Sequence, residues 1–125
     1  MIVLTLEQLL ELHALVIEAT GGSPGLRDLG RLEAAIATQT QNVFGKELYP
    51  SISNKAAALI RGLIADHAFV EGNKRTAMLS GITLLLLNNI IFSANIGELE
   101  DFAVQIATDN LDVPAISAWL NLHSK

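Results

Sequence analysis

Apolar residues recur at the helical period in every long segment of this 125-residue chain, and no segment sustains the alternation of a half-buried strand. That pattern predicts an all-α fold. Composition agrees: hydrophobic residues make up 50% of the chain and aromatic ones only 5%. A core of Leu, Ile and Ala suits packed helices. The length fits one domain spanning residues 1–125.

Local signals divide the chain. Thr5 with Gln8 reads as a capping box, opening a first helix that stops at Gly21-Gly22. Ser23-Pro24-Gly25 reads as a turn. Asp28 caps a second helix, expected to reach about Thr40, with Leu29, Leu32, Ala35 and Ile36 on one face. Asn42 to Ser51 lacks the helical period and reads as an exposed loop or short hairpin. Ser51 or Ser53 opens a third helix through about Asp66. A fourth runs from near Asn73 to Asn88 or Asn89. Glu98 to Asn110 and Val113 to His123 form two more. The fourth helix is apolar all round and is expected to be the central one.

Charge and patterning exclude several classes. Eight Lys and Arg face thirteen Asp and Glu, a formal net charge of -5. A general nucleic-acid binder needs the opposite balance, so no direct nucleic-acid partner is expected. Cysteine is absent, which excludes disulfides and cysteine metal sites and agrees with a cytoplasmic location. The N-terminus lacks the basic segment and cleavage site of a signal peptide. Ala77 to Ala94 carries no charge, but Ser80, Gly81, Thr83, Asn88 and Asn89 interrupt it. A buried helix is expected there, not a membrane span.

The chemistry concentrates in His67–Ala77, HAFVEGNKRTA. Gly72 stands just before a helix start, where the first N–H groups lack internal partners and the positive end of the dipole lies. Such an end binds anions. Lys74 and Arg75 add two cations where a structural sequence would place Asp or Glu, an unfavourable choice by roughly 0.3–1 kcal/mol each. A bound phosphate removes the conflict. Asn73 offers an amide to a phosphate oxygen. Glu71 is a hard oxygen ligand suited to a Mg²⁺ that bridges phosphates. His67 is placed to take a proton from an attacking hydroxyl. Phe69 is expected to point into the core. Singly, each has a plain structural reading: a turn, a surface pair, a solvated histidine. Their ordered combination points to group transfer from a nucleotide.

His67-Ala68-Phe69-Val70-Glu71-Gly72-Asn73-Lys74-Arg75 resembles the His-x-Phe-x-acid-Gly-Asn-x-Arg motif of the Fic/Doc family. The continuation Asn-Lys-Arg-Thr-Ala is similar to the Doc (death-on-curing) branch. Gly25–Gly30 with Leu32–Ile36 resembles an early helix of Doc-type proteins, and Phe44-Gly45 with Leu48-Tyr49-Pro50 resembles the flap before the catalytic helix. The resemblance spans about Leu4 to Asn89. It implies a compact helical bundle in which His67 is the general base and Glu71 holds Mg²⁺. Gly72, Asn73, Lys74 and Arg75 would bind the phosphates of ATP, and Phe44, Gly45 and Tyr49 would form a target-docking flap.

The resemblance implies a toxin of a toxin–antitoxin pair that moves the γ-phosphate of ATP onto a hydroxyl of a protein such as elongation factor Tu. Transfer of AMP is the alternative within the family, and an inactive regulatory module that keeps the fold is the alternative outside it. AMP-transferring members usually have Gly where Lys74 stands and a second Arg where this chain has Met78, which favours phosphate transfer. Glu71 and Gly72 match the broader family, whereas the Doc type often carries Asp and Ala. A basic residue that some Doc proteins place before the His is missing, Ala65 and Asp66 standing there, and Arg61 is the upstream candidate to replace it. No inhibitory Ser/Thr-x-x-x-Glu helix is visible, so control is expected from a separate antitoxin chain docking in a groove. His13, mid-helix among apolar residues, and His123, in a tail expected to fray, are read as non-catalytic. Trp119 is read as packing.

Overall fold

The computed structural model describes all 125 residues. Six α-helices follow one another: α1 Leu6–Thr20, α2 Leu29–Ala37, α3 Ile52–Asp66, α4 Asn73–Leu87, α5 Ile96–Asp109 and α6 Val113–Leu122. No helix is long and apolar enough to cross a membrane.

Their starts follow the expected chemistry. Thr5 and Gln8 form a full capping box on α1, and Asp28, Ser51 and Asp112 cap α2, α3 and α6. Helix α5 begins at Ile96, slightly before the expected Glu98, because Asn95 and Glu98 pair in a second capping box. Helix α2 ends as an α-helix at Ala37 and tightens into a 3-10 turn over Thr38–Thr40.

The segment after it is a hairpin, with β1 Asn42–Val43 antiparallel to β2 Lys46–Glu47. Phe44 and Gly45 at its tip both have positive φ, 52° and 80°. Two positive φ values make the turn that matches strand twist. Lys55 is buried, and its Nζ donates to Gln39 O and, at 2.9 Å, to Glu47 Oε1. One buried ammonium thus ties α3 to the second arm of the hairpin and to the 3-10 turn that precedes the first.

The central element is α3, not α4. Helix α3 packs on α2, α4, α5 and α6. Leu86 of α4 is 61% exposed, so its apolar surface is only partly used by the core. Small residues explain the difference. Ala56, Ala57 and Ala58 are buried on α3, and a Cβ added to Gly81 of α4 would overlap Ile60. Gly62 lies against Ala35, where an added Cβ would be 3.2 Å from its side chain. Backbones approach where side chains are small, and α3 is the helix best supplied with them. The cluster of 21 buried apolar residues draws on all six helices.

The C-terminal tail is tied down, contrary to the expected fraying. Ile91 and Lys125 exchange two backbone hydrogen bonds, and Ser93 N donates to His123 O. His123 Nδ1 lies 2.9 Å from Trp119 O, and Trp119 stacks on Phe102 with centroids 4.0 Å apart. Asn88 and Gln39 hold the other terminus through Ile2 and Leu4.

Candidate active site

Helix α3 ends on His67 in the left-handed conformation, φ 48°. The chain reverses through Ala68–Glu71 and enters α4 at Gly72, also left-handed with φ 79°. The two turns bring the end of one helix beside the start of the next. A cleft of about 380 Å³ opens there, lined by His67, Glu71, Gly72, Asn73, Lys74, Arg75 and, from the end of α1, Thr20 and Gly21. No lining residue is hydrophobic. The six residues singled out in the motif therefore share one polar cleft.

Three devices hold the loop. Ala68 and Phe69 are buried, each 1% exposed. The backbone of Gly25–Asp28 laces onto it: Arg27 N and Asp28 N donate to Ala68 O at 2.8 and 3.0 Å, and Val70 N donates to Gly25 O at 2.9 Å. The Asn73 side chain closes it, its Oδ1 accepting from Phe69 N at 3.0 Å and its Nδ2 donating to Phe69 O at 2.9 Å. This changes the part open to Asn73. One Nδ2 hydrogen and Oδ1 are engaged with the loop, so toward a ligand it presents its backbone N–H and at most the second Nδ2 hydrogen.

Electrostatically the cleft has the make-up that favours an anion. Gly72 caps α4 without a side-chain bond, whereas the other five α-helices each have a side chain accepting at their start. The first turn of α4 carries no acid. Lys74 and Arg75 are exposed at its mouth, with Arg75 Nη2 3.5 Å from Glu100 Oε1. Both partners are about half exposed, so that pair is weak. Thr76 and Ala77 face the core. Glu71 is the only carboxylate lining the cleft, and no three His, Cys, Asp or Glu side chains converge anywhere in the chain. That donor set fits Mg²⁺, which takes one or two carboxylates and completes its shell with phosphates and water.

Sequence reading missed several contributors. Thr20, Gly21 and Gly22 were visible only as a helix stop, and His13 only as an apolar-face histidine. Phe44, Gly45 and Tyr49 do not line the cleft. Phe44 is fully exposed at the hairpin tip, 102%. Arg61 turns toward the α5–α6 junction, where its Nε donates to Leu111 O at 3.1 Å, and is not among the residues of the polar cleft. An apolar groove of about 560 Å³ adjoins the cleft, sharing Thr20, Lys74 and Arg75 and walled by Met78, Leu79, Ile82, Ile96, Leu99 and Val104 among others.

The Fic/DOC family model matches residues 3–85, a stretch that contains the lacing segment, the hairpin and the whole cleft. The chain belongs to the Fic/Doc family. Toxin Doc of Mycolicibacterium smegmatis is 39% identical over 104 residues, covering 82% of this chain and 80% of that protein. Protein kinase doc of Escherichia phage P1 is 33% identical over 115 residues, covering 91% and 89%. These relatives place the chain in the Doc branch. In Fic/Doc terms, the motif is the α3–α4 junction described above.

Proposed function

We propose that this chain is a Doc-type toxin that transfers the γ-phosphate of ATP to a hydroxyl of a cytoplasmic protein target of the elongation factor Tu kind. The observation that carries the reading is the polar cleft, where an uncapped helix start, Lys74, Arg75 and Glu71 meet His67. In the proposed step, His67 takes the proton of the target hydroxyl. The freed oxygen attacks the γ-phosphorus, the bond from that phosphorus to the β–γ bridging oxygen breaks, and ADP leaves with the bond pair. Backbone N–H groups of Gly72 and Asn73, with Lys74 and Arg75, hold the phosphate oxygens as charge builds. Glu71 would hold Mg²⁺, which supplies further charge neutralisation when bound.

Met78 favours phosphate over AMP transfer. It is 4% exposed and lines the apolar groove, so this turn of α4 offers no second cation to an α-phosphate. Glu71 and Gly72, which match the wider family, support AMP transfer as the second reading. Reaction with α- and γ-labelled ATP and elongation factor Tu separates the two. The expected result is label from the γ position only and a mass gain of one phosphate; label from the α position overturns the kinase reading. Target modification that persists in a His67 variant would instead favour an inactive regulatory module and an unrelated source of activity.

The likeness to Toxin Doc of Mycolicibacterium smegmatis supports an antitoxin partner. The apolar groove beside the cleft suits the apolar face of an antitoxin helix, and its occupant would cover Lys74 and Arg75. Co-expression with the neighbouring small gene should restore growth, and a gene without such a neighbour counts against the pairing.

A further inference from the structure

His13 sits on α1, 3% exposed, 58 residues before the loop it touches. Its ring stacks on Phe69, with centroids 3.7 Å apart and planes 7° from parallel. Its Nε2 lies 2.9 Å from Glu71 O. A carbonyl oxygen only accepts, so Nε2 carries the hydrogen and donates. The acceptor is half of the Glu71–Gly72 peptide group. No peptide in the chain is cis. In a trans peptide the C=O and N–H point in opposite directions. Fixing the carbonyl toward His13 therefore turns the Gly72 N–H away from α1. That N–H has no backbone partner, and Gly72 lines the polar cleft. The residue itself is pressed against α1: a Cβ on Gly72 would lie 3.2 Å from Ile17 Cδ1 and 3.7 Å from His13 Nε2.

We infer that His13 is a positioning residue, which sets the plane of the Glu71–Gly72 peptide and so aims the Gly72 N–H at the phosphate chain of a bound nucleotide. The inference rests on the reading of the cleft as a phosphate site. It assigns two tasks to one ring. The face holds Phe69 and with it the loop's depth. The edge holds the peptide plane. A core histidine that merely fills space would have the first task and not the second.

Two substitutions separate the tasks. His13→Phe keeps a ring on Phe69 and loses the donor. His13→Gln loses the ring and keeps an N–H of similar reach. The Gly72 amide resonance in the ligand-free protein reports the peptide plane without any activity, and calorimetric titration with ATP and Mg²⁺ reports its consequence. His13→Phe should move that resonance and weaken ATP binding about two- to tenfold, the range for one lost hydrogen bond. His13→Gln should bind within about twofold of the parent. A His13→Phe protein with the parent's Gly72 resonance and affinity overturns the inference. If the Phe variant does not fold, His13→Gln decides: retained affinity supports the donor, and a loss of tenfold or more overturns it. Should the parent protein bind no ATP, the phosphate reading fails, and the Gly72 resonance still decides whether His13 sets the peptide.

Discussion

Gly22 lies so close to Glu71 that a Cβ on it would stand 2.5 Å from Glu71 Oε2, and its φ of +110° is one that other residues avoid. The carboxylate proposed to hold Mg²⁺ is therefore seated against bare backbone just past the end of α1. Gly22→Ala should strain that turn, lowering stability by about 1 kcal/mol, and push Glu71 from its seat. Activity should fall at least tenfold with a raised Mg²⁺ requirement. A thermal melt and a Mg²⁺ titration of the reaction check both; unchanged Mg²⁺ dependence would show that Glu71 needs no such seat.

His67 combines exposure with a left-handed backbone. His67→Ala would confound the loss of a base with added backbone strain, because His adopts the left-handed region more readily than Ala. His67→Asn tolerates the conformation better and removes the base. Turnover should drop by about two to four orders of magnitude while the melting temperature barely moves. Single-turnover phosphate transfer at the parent's rate would remove His67 from the mechanism.

Both bonds of the Asn73 side chain go to Phe69. Asn73→Ala leaves the buried Phe69 backbone without its partners and should cost about 1–3 kcal/mol in urea denaturation. Asn73→Asp keeps the acceptor alone and should fall between. If both variants are as stable as the parent but inactive, the amide serves the ligand instead of the loop.

Lys55 is a buried cation whose partners belong to the hairpin and the turn before it. Lys55→Met should loosen the hairpin and cost about 1–3 kcal/mol, towards the lower end because the Glu47 side chain is 48% exposed and rehydrates. Protease cleavage near Phe44 should accelerate while the core's denaturation midpoint moves little beyond that cost. Cleavage at the parent's rate would mean that the strand pair alone holds the tip.

The Arg75–Glu100 pair should matter for the ligand more than for the fold. Its 3.5 Å separation and exposure predict a stability change under about 1 kcal/mol for Glu100→Gln. ATP should bind a few-fold more tightly, because Arg75 is released and a carboxylate near the phosphates is neutralised. Weaker binding would point to a role for Glu100 in orienting Arg75.

Local chemistry was readable wherever it depends on near neighbours. The caps Thr5, Asp28 and Ser51, the stop at Gly21, and the helix start behind Gly72 follow from residues within one turn of each other. The motif order likewise placed His67, Glu71, Gly72, Lys74 and Arg75 in one cleft, because all lie within nine residues across a single turn. What tertiary structure decided involves partners far apart in the chain. His13 reaches Glu71 across 58 residues, and Gly25–Asp28 laces onto Ala68–Val70. No periodicity announces such pairs, since an apolar face with a histidine reads the same whichever loop lands on it. Asn73 shows the same limit from the other side. Its amide type suited a phosphate, but a fixed loop geometry gave that amide to Phe69 first. The centre of the bundle was also a tertiary choice. Apolar content pointed to α4, whereas close approach is set by small side chains, and Ala56–Ala58 with Gly62 placed α3 inside.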